Sequence, residues 1–493
     1  MKMAQKRILL PLMSCLFAWS TIGLATLRAQ ATPQDLIGTM VETINSKNEA
    51  NTLKFLEEWM VSKANLQQRA KKFVGLSEQG GPFKLVKQSS VTSNEVDAIV
   101  TDREGTRLVF RLHIQTKPSL KIVGLQIAPA FTVEGPDSAL DKWKDLNELA
   151  SQIATPVHSP GMAIAVIRNG ALTEGVVGVR TSQSIDPVQT NDVWSIGSIG
   201  KSVCTSVIGR LVEMHKLTWD ETLKQALPGV SMKPGYAKVT IEQLMLHRGG
   251  IPQDLGFRRP DIDRIVGKAR TGTAIRARYV ADILKRNPIG TPGEKFAYSN
   301  AGYALLSYIA ESKMGKSYES LVKETVFRPL GLAHSFTGID VLPASRPSGH
   351  VEDENGIHPL NTEGPIEFLF AGAGGGMYMS MGDLAKFGQA HLSGLNGKDG
   401  FLKSATIKWL HRGFLEQPGG KRTYACGWGI ERFPGLDWSH SHNGSNGTQR
   451  AQLSIFPRSG LVISAAVNLG GEKQPSPGLQ AVLAIAKRFA AKG

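Results

Sequence analysis

The sequence predicts an α/β protein of the α+β class, built as two domains of unequal size. Its length is the first reason, because 493 residues with 41% hydrophobic content can bury more than one core. The second is that residues 32–134 show helical patterns followed by strand patterns, typical of a small cone-like α+β domain. The third is that residues 141–493 begin and end in strand patterns, which predicts an antiparallel sheet with an inserted helical subdomain.

The predicted small domain begins with three segments that carry apolar residues at helical spacing. These helices are expected at 35–45, 52–62 and 66–76. Strand-like segments follow, and "DREGT" (102–106) between the middle pair predicts a hairpin turn. The four strands are expected at 83–91, 95–102, 107–116 and 120–128. Nothing in this part has a catalytic pattern, and a polar linker is expected at 135–140.

The predicted large domain begins with a β-hairpin. Strand-like "GMAIAVIRNG" is followed by "ALTEGVVGVR", and Asn169-Gly170 is the dipeptide that a tight hairpin turn prefers. After Ser198, apolar residues recur at three- and four-residue spacing, which predicts an amphipathic helix with one buried stripe. Strands at 450–457 and 461–469 and a helix at 479–492 end the domain. Strands from both ends of the domain are therefore expected to share one sheet.

The first 31 residues have the pattern of a secretory signal peptide. Basic residues precede the apolar stretch "ILLPLMSCLFAWSTIGLA", and small residues allow cleavage after Ala31. This predicts a periplasmic or secreted protein. Lipid attachment at Cys15 is the weaker alternative, because the residues after Cys15 stay apolar. Beyond the N-terminus no long charge-free apolar run occurs, so no membrane span is expected in the mature chain.

Charge and cysteine content exclude several classes of function. Removing residues 1–31 takes away four basic and no acidic residues, so the net charge falls from +15 to +11. No run of five basic residues occurs, and nucleic acid is therefore not expected as a partner. A small molecule or a component of the cell envelope is the expected substrate, and the oligomeric state stays open. Cys204 and Cys426 form no disulfide framework, although one bridge or two buried thiols are both possible.

The segment "VWSIGSIGKSV" (193–203) resembles two different motifs. A phosphate-binding loop needs a glycine five residues before Gly200, where this chain has Ser195, and it needs a preceding strand. The alternative is Ser198-x-x-Lys201, which puts a serine nucleophile and a lysine base on one helical turn. The spacing recurs at Ser320 and Lys323, but there it lies within a helix that carries charges on several faces. We therefore expect Ser198 to be the nucleophile.

Two later segments supply the other groups that acyl transfer needs. Tyr298-Ser299-Asn300 offers a phenol that can relay protons and an amide that can hold a substrate carbonyl. His442-Asn443-Gly444 precedes a predicted strand, and Gly444 would let a substrate backbone lie close along its edge. The backbone N–H groups of Ser445 and Ser198 could then form an oxyanion hole. His247-Arg248-Gly249 and His411-Arg412-Gly413 have the same His-x-Gly spacing, but neither adjoins a core strand after the tyrosine motif.

With these motifs in this order, residues from about 140 to 490 resemble a known family. It comprises the serine β-lactamases and D-alanyl-D-alanine-peptidase-like hydrolases, nearest to class C β-lactamases and related esterases. The resemblance implies a β-lactamase/transpeptidase-like fold and no cofactor. It also implies that Ser198 is acylated, with Lys201, Tyr298 and Asn300 as its partners and His442 to Gly444 as the third motif. Further similar segments are "TIEQLMLHRGGI", "TPGEKFAYSNAGYALL", "AGAGGGMYMSMGDLAKFG" and "YACGWGI".

Two departures from the family pattern bear on the substrate. Where many class C β-lactamases carry Lys-Thr-Gly, this chain has His442-Asn443-Gly444, so a permanent positive charge is missing where a carboxylate would dock. The family's His-Thr-Ser-Gly segment is replaced by His247-Arg248-Gly249-Gly250. We expect a serine hydrolase that acts on ester, amide or β-lactam carbonyls, with ester-like substrates favoured. One alternative is a non-catalytic penicillin-recognising sensor. A zinc enzyme is the other, but only "HSH" at 440–442 suggests it, and the chain has no His-Glu-x-x-His motif.

Overall fold

The structure is a computed structural model, and it describes most of the chain between residues 32 and 490. The described ranges are 32–61, 65–92, 94–103, 107–117, 119–129, 140, 142–252, 259–267, 269, 271–338, 342–354, 356–362, 364–413, 415–416, 422–433, 435–471 and 476–490. The predicted signal peptide with Ala31 and Cys15 lies outside these residues, as do most of the predicted linker and residues 104–106 of the "DREGT" turn.

The chain separates into two compact units, residues 1–133 and 134–493. Among the described residues of the first unit, three helices precede a four-stranded antiparallel meander with strand order β1-β2-β3-β4. Their bounds are α1 (Pro33–Asn45), α2 (Glu49–Trp59), α3 (Leu66–Gln79), β1 (Lys84–Thr92), β2 (Glu95–Thr101), β3 (Arg107–Gln115) and β4 (Lys121–Pro129). The apolar face of α1, from Leu36 to Ile44, packs into a core shared with Phe110 and Leu112 of the sheet. This unit therefore has a core of its own.

The strands of the second unit form an eight-stranded antiparallel sheet in the order β12-β13-β14-β15-β16-β17-β5-β6, a three-stranded sheet in the order β7-β11-β8, and a β9–β10 hairpin. The strands are β5 (Gly161–Arg168), β6 (Ala171–Gly178), β7 (Trp194–Ser195), β8 (Ser335–Thr337), β9 (His350–Asp353), β10 (Gly356–Pro359), β11 (Met377–Met379), β12 (Leu415–Glu416), β13 (Arg422–Ala425), β14 (Trp428–Arg432), β15 (Trp438–Ser445), β16 (Arg450–Phe456) and β17 (Leu461–Val467). As the sequence predicts, the last strand β17 pairs with the first strand β5. The α+β class and the antiparallel sheet are confirmed.

The helices of the second unit cover the large sheet and form the inserted subdomain. They are α4 (Leu146–Ala154), α5 (Gly200–Glu213), α6 (Leu223–Ala226), α7 (Ile241–Met245), α8 (Arg259–Val266), α9 (Gly272–Lys285), α10 (Asn300–Met314), α11 (Tyr318–Val322), α12 (Met381–Leu395), α13 (Ser404–Leu410) and α14 (Pro477–Phe489). Short 3₁₀ turns lie at Gly197–Ile199, Pro234–Tyr236 and Pro365–Ala373, and a π-helical turn at Lys323–Phe327 follows α11. Among the described residues, no helix is both long enough and apolar enough to cross a membrane.

The large sheet is buried on both faces because different helices cover it from each side. On one face Gly388 of α12 lies so close to β16 and β17 that a Cβ there would be 2.6 Å from a Val462 methyl carbon. On the opposite face Gly478 of α14 lies equally close to the Gln452 side chain. This double burial explains why β17 consists entirely of buried residues.

The helix α5 departs from the sequence expectation of one buried stripe. Nearly all of its residues, polar ones included, are buried. Its polar side is covered by the β13–β14 turn, where Ser202 Oγ donates to the Gly427 carbonyl at 2.6 Å and Thr205 Oγ1 to the Cys426 carbonyl at 3.1 Å. Because these hydroxyls find backbone partners, the helix can lie in the interior without unpaired polar groups.

Candidate active site

Ser198 lies in the 3₁₀ turn that leads into α5, one turn before Lys201. The Lys201 side chain is fully buried, and its Nζ donates to Ser198 Oγ at 2.9 Å and to Asn300 Oδ1 at 2.7 Å. A third, longer contact joins Nζ to the Ala373 carbonyl at 3.5 Å. The structure therefore brings together the serine, the lysine and the asparagine that the sequence analysis selects, although 99 residues separate Lys201 from Asn300.

Tyr298 reaches the same site because α10 begins beside it. Ser299 caps this helix, its Oγ accepting the Gly302 N–H at 3.0 Å and donating to the Pro252 carbonyl at 2.6 Å. This cap fixes the backbone on either side of Ser299, at Tyr298 and Asn300. The Tyr298 ring centroid lies 4.6 Å from Lys201 Nζ. The Tyr298 ring therefore lies directly beside the lysine that contacts the nucleophile.

His247 is part of the site, although the sequence analysis assigns it no role. The Ser299 N–H donates to its Nδ1 at 3.0 Å, so the ring hydrogen must be on Nε2, which lies 3.1 Å from the Tyr424 hydroxyl. Its ring centroid is 4.3 Å from that of Tyr298. Burial, with Lys201 and His442 nearby, holds the His247 pKa well below 6.5. A neutral imidazole thus orients both the cap of α10 and the tyrosine ring.

Backbone contacts at two glycines set the positions of the candidate oxyanion donors. A Cβ on Gly444 would lie 1.9 Å from the Ile196 oxygen and 2.6 Å from the Ser198 nitrogen, and a Cβ on Gly197 (φ 47°) would lie 2.4 Å from the Ser445 nitrogen. The sequence argument expects a substrate strand against Gly444. The side of Gly444 that a Cβ would occupy is filled by the chain's own nucleophile turn. The Ser198 N–H therefore lies next to Gly444, and the Ser445 N–H lies next to Gly197.

A second glycine contact closes the other side of the nucleophile turn. Gly374 adopts a φ of 104°, and a Cβ there would lie 1.7 Å from the Gly197 oxygen. Gly200 meets the same point, because its Cβ would lie 2.3 Å from Gly374 Cα. The nucleophile turn therefore packs against glycine backbone on two sides, at Gly444 and at Gly374. This explains the run of glycines in "AGAGGGMYMS". The sequence analysis quotes this segment without assigning it a role.

His442 lies on β15 and is 8% exposed. Its Nδ1 is 2.6 Å from the Asn443 carbonyl oxygen, which can only accept, so Nδ1 carries the hydrogen. In the neutral ring Nε2 is then an acceptor. The Asn443 carbonyl therefore takes the single N–H of a neutral His442 ring, so that ring has no hydrogen to donate to a substrate. Only the protonated ring would offer a second N–H.

A cavity of about 320 Å³ lies against the nucleophile, and Lys201, Tyr298, His442 and Gly444 are not among its described wall residues. Ser198, Asn300 and Ser445 contribute to its wall, and Lys201 lies directly behind Ser198. The remaining wall residues are Gly197, Thr362, Glu367, Phe370, Ala373, Gly374, Gly375 and Asn446. A cavity of this size is at the lower end of the range for small-molecule sites, so it fits a small acyl group.

Three buried histidines form a hydrogen-bonded chain behind α5. His440 Nδ1 is 2.9 Å from His411 Nδ1, and His411 Nε2 is 2.9 Å from His391 Nδ1. His391 Nε2 is 3.1 Å from Ser206 Oγ, which itself donates to the Ser202 carbonyl at 2.9 Å. Because that hydroxyl hydrogen is already used, each ring must donate towards Ser206. Burial lowers the pKa of His391 to about 3 and that of His440 to about 4.

Cys204 and Cys426 are free, buried thiols. This resolves the alternative that the sequence leaves open. Burial raises the pKa of the Cys204 thiol to about 12 and that of Cys426 well above its usual value. Neither is suited to be a nucleophile, since the reactive form of a thiol is the thiolate.

The Ser-x-x-Lys pair, the tyrosine and asparagine beside it, and the sheet edge opposite define a serine β-lactamase or penicillin-binding protein fold. A family model described as Beta-lactamase matches residues 146–487. The chain therefore belongs to the beta-lactamase family. The family and the β-lactamase/transpeptidase-like fold expected from the sequence motifs are both confirmed.

Individual relatives agree with this assignment. The chain is 28% identical over 332 residues to penicillin-binding protein 4 of Amycolatopsis lactamdurans, covering 64% of this chain and 83% of the relative. It is 25% identical over 340 residues to a putative D-alanyl-D-alanine carboxypeptidase of Escherichia coli K12, covering 61% and 76%.

Solved structures show the same fold. An octameric penicillin-binding protein homologue from Pyrococcus abyssi superimposes with a TM-score of 0.59 at 25% identity, covering 68% of this chain and 75% of that one. A class C beta-lactamase gives 0.56 at 18% identity, covering 70% and 96%. These matches cover about the length of the second unit.

Proposed function

We propose that the protein is an exported serine hydrolase that acts through a covalent acyl-enzyme on Ser198. The observation that carries the proposal is the 2.9 Å contact between the buried Lys201 Nζ and Ser198 Oγ at the wall of the cavity. With Lys201 in its neutral form, the Nζ lone pair can accept the Ser198 hydroxyl proton across this contact, and a serine becomes nucleophilic when an adjacent base takes its proton. A fully buried lysine suits this role, because burial disfavours its charged form.

In the proposed reaction Ser198 Oγ attacks the substrate carbonyl and its proton passes to Lys201 and Tyr298. The Ser198 and Ser445 N–H groups hold the oxyanion that forms. Tyr298 then returns a proton to the leaving group as the acyl–oxygen or acyl–nitrogen bond breaks. Water, deprotonated by the same pair, attacks the acyl-enzyme and releases the acid. Asn300 holds Lys201 in place through its Oδ1.

Ester-like substrates are the favoured class. A β-lactam or peptide substrate presents a carboxylate, and this site has His442 where a lysine would attract it. The His442 ring N–H points to the Asn443 carbonyl, so the neutral ring has no hydrogen to offer. Uncharged esters need no such contact. Export is proposed on the signal-peptide pattern of residues 1–31, and sequencing the N-terminus of the mature protein from periplasm or medium tests it.

The decisive experiment compares Ser198→Ala with the wild type. Turnover of a short-chain nitrophenyl ester should fall by about 10³-fold or more, because the covalent route is lost. A fluorophosphonate probe should label the wild type and leave the variant unlabelled. Nitrocefin and a D-Ala-D-Ala peptide, assayed beside the ester, rank the three substrate classes.

Ser320→Ala is the matched control, since Ser320 has the same spacing to Lys323. Its hydroxyl accepts a hydrogen bond from Ser317 Oγ, at the start of α11, at 3.0 Å, and Ser320 is not among the described wall residues of the cavity. This variant should keep both label and turnover. Label on Ser320 would refute the assignment of the nucleophile. Label on Ser198 without any turnover would favour the non-catalytic sensor instead.

A further inference from the structure

A second cavity, of about 610 Å³, is bordered by the helices α4 and α14 and by the segment that leads into α4. It shares no described wall residue with the cavity at Ser198. Four of its described wall residues are basic and one, Glu148, is acidic. The described wall therefore has an excess of three positive charges. The basic residues are Lys142, Lys144, Lys487 and Arg488, all of them exposed.

One of these cations, Arg488, is held in place by Trp143. Its Nη1 donates to the Trp143 carbonyl at 2.9 Å, and its guanidinium carbon lies 4.1 Å from the centroid of the Trp143 ring. Trp143 is 8% exposed, and its ring meets that of Phe489 edge-on with 6.0 Å between the centroids. A guanidinium that such packing already fixes loses little conformational freedom when it binds an anion.

Two further polar side chains belong to the described wall, those of Trp143 and Glu148. The Trp143 indole N–H is buried and has no hydrogen-bond partner among the described residues, whereas buried N–H groups are normally paired. The Glu148 carboxylate accepts the backbone N–H of Lys144 at 2.8 Å and the Gln152 side-chain amide at 3.4 Å. It is thereby tied to the start of α4, and one carboxylate does not neutralise four basic side chains.

We propose that this second cavity binds phosphate groups of an anionic polymer, with its four basic side chains as the donors. A phosphate group presents at least two strong acceptor oxygens on one centre, so it can bond to more than one cation at once. Arginine suits it through its forked donors and lysine as a point charge. A phosphodiester carries a single negative charge, so neighbouring phosphates on one chain are what an excess of three positive charges in the wall would match.

A polymer in solution fits this cavity better than a lipid surface does. None of its described wall residues is an exposed large hydrophobic side chain, whereas proteins that lie on a membrane bury apolar side chains in it. Polymer bound here would also leave the Ser198 cavity open, because the two cavities have no described wall residue in common. The inference therefore does not depend on the acyl transfer proposed at Ser198.

The test measures binding of the purified protein to inorganic polyphosphate by titration calorimetry at increasing salt. The wild type should bind, and the logarithm of its association constant should fall linearly with the logarithm of the salt concentration, because the bound cations displace counterions from the polymer. Ser198→Ala should bind as the wild type does. Loss of binding in Ser198→Ala would place the polymer at the catalytic cavity and overturn the inference.

The double variant Lys142→Gln with Lys144→Gln removes two of the four cations and keeps Trp143 between them. Its affinity for polyphosphate should fall about tenfold, the size of two exposed ion pairs, and its salt slope should fall by about two. The matched control is Lys233→Gln with Lys238→Gln, at exposed positions outside the described wall, which should keep the wild-type affinity. Equal losses in the two double variants would overturn the inference, because the polymer would then sense only net charge.

Glu148→Gln provides a change of the opposite sign, which a misfolded protein would not show. The variant keeps an oxygen for the Lys144 N–H and removes the negative charge, so its affinity for polyphosphate should rise by about threefold. Glu354→Gln, at an exposed position, is its control and should bind as the wild type does. A wild type that does not bind polyphosphate at low salt, or that binds polyglutamate equally well, would overturn the inference. Binding to phosphatidylglycerol vesicles without binding to polyphosphate would overturn it in favour of a lipid headgroup.

Discussion

Two histidines of the site carry opposite tautomers. His247 accepts at Nδ1 from the Ser299 N–H, whereas His442 donates from Nδ1 to the Asn443 carbonyl. Each tautomer follows from the backbone partner, because a backbone N–H can only donate and a carbonyl oxygen can only accept a hydrogen bond. His247 is therefore a positioning residue with its hydrogen towards Tyr424, and His442 gains a donor towards Nε2 only when it is protonated.

The variant His442→Lys tests whether residue 442 docks a substrate carboxylate. A lysine keeps its positive charge at neutral pH, so the variant should raise kcat/KM for a carboxylate-bearing β-lactam relative to a neutral ester. The gain should be no more than about tenfold, one charge-assisted hydrogen bond. For the wild type, β-lactam turnover should strengthen relative to ester turnover as pH falls, since only a protonated His442 ring has a second N–H to offer.

The measurement is the lactam-to-ester ratio of kcat/KM from pH 6 to 8 in both proteins. His215→Lys, at an exposed position, adds the same charge away from the cavity and serves as the control. An equal ratio in His442→Lys and the wild type would reject the docking role. Efficient wild-type β-lactam turnover at pH 8 would reject the ester preference as well.

At the scale of elements, the histidine chain joins four parts of the fold. His440 belongs to β15, His411 ends α13, His391 lies in α12, and Ser206 lies in α5. Each link requires a neutral ring, because two facing ring nitrogens cannot both carry hydrogens and still bond. The strand that holds His442 and the helix that holds Lys201 are thereby connected through the interior.

This chain predicts acid sensitivity of the fold. The folded-state pKa values of about 3 for His391 and about 4 for His440 lie below the usual value of 6.5, so the unfolded chain binds protons first. The stability that these two neutral histidines contribute is fully present above pH 6.5 and is lost as pH falls towards 4. The free energy of unfolding then decreases by about 1.4 kcal/mol per pH unit for each histidine. Urea unfolding between pH 4.5 and 6.5 measures this slope.

The variant His391→Gln removes one of the titrating rings. Its slope should be lower than that of the wild type by about 1.4 kcal/mol per pH unit, whatever its absolute stability. His215→Gln, which removes an exposed ring, is the control. If His391→Gln unfolds with the wild-type slope, His391 is not a source of the acid sensitivity.

The elements differ in how far the sequence predicts them. The β5–β6 hairpin is predictable because its turn needs two residues with positive φ, and Asn169 (φ 52°) and Gly170 (φ 80°) supply them. Strands β7 and β11 contain two or three residues each, too few for any periodic pattern. The 3₁₀ helix that carries Glu367 likewise has no signature in sequence, since long-range packing decides its shape.

At the scale of the whole molecule, the first unit contributes none of its described residues to the described wall of the cavity at Ser198. It has its own core and separates from residues 134–493 as a compact unit. A chain beginning at Asp137 should therefore fold and keep its activity on a small nitrophenyl ester within about twofold, since it retains every residue that the structure describes in the cavity wall. Kinetics of the purified truncated protein test this, with circular dichroism to check folding. A folded truncation without ester turnover would show that residues 32–134 complete the site.

Most of the candidate site can be predicted from the sequence because acyl transfer needs particular side chains at local spacings. Ser198 with Lys201, and Tyr298 with Asn300, are pairs of this kind. His247 escapes prediction because its His-x-Gly spacing is shared with positions 411 and 442, and only the fold places it beside Tyr298.

The packing of bare backbone around Ser198 has a consequence for comparing this chain with its relatives. The nucleophile keeps its place because atoms are missing at Gly197, Gly374 and Gly444, where any methyl group would collide with main chain. A relative that keeps the serine and lysine but carries alanine at one of these positions would retain the reactive groups. It would lose the backbone packing that holds the serine in position. In a survey of homologous chains, these three glycines should therefore separate working enzymes from inactive descendants better than the reactive side chains do.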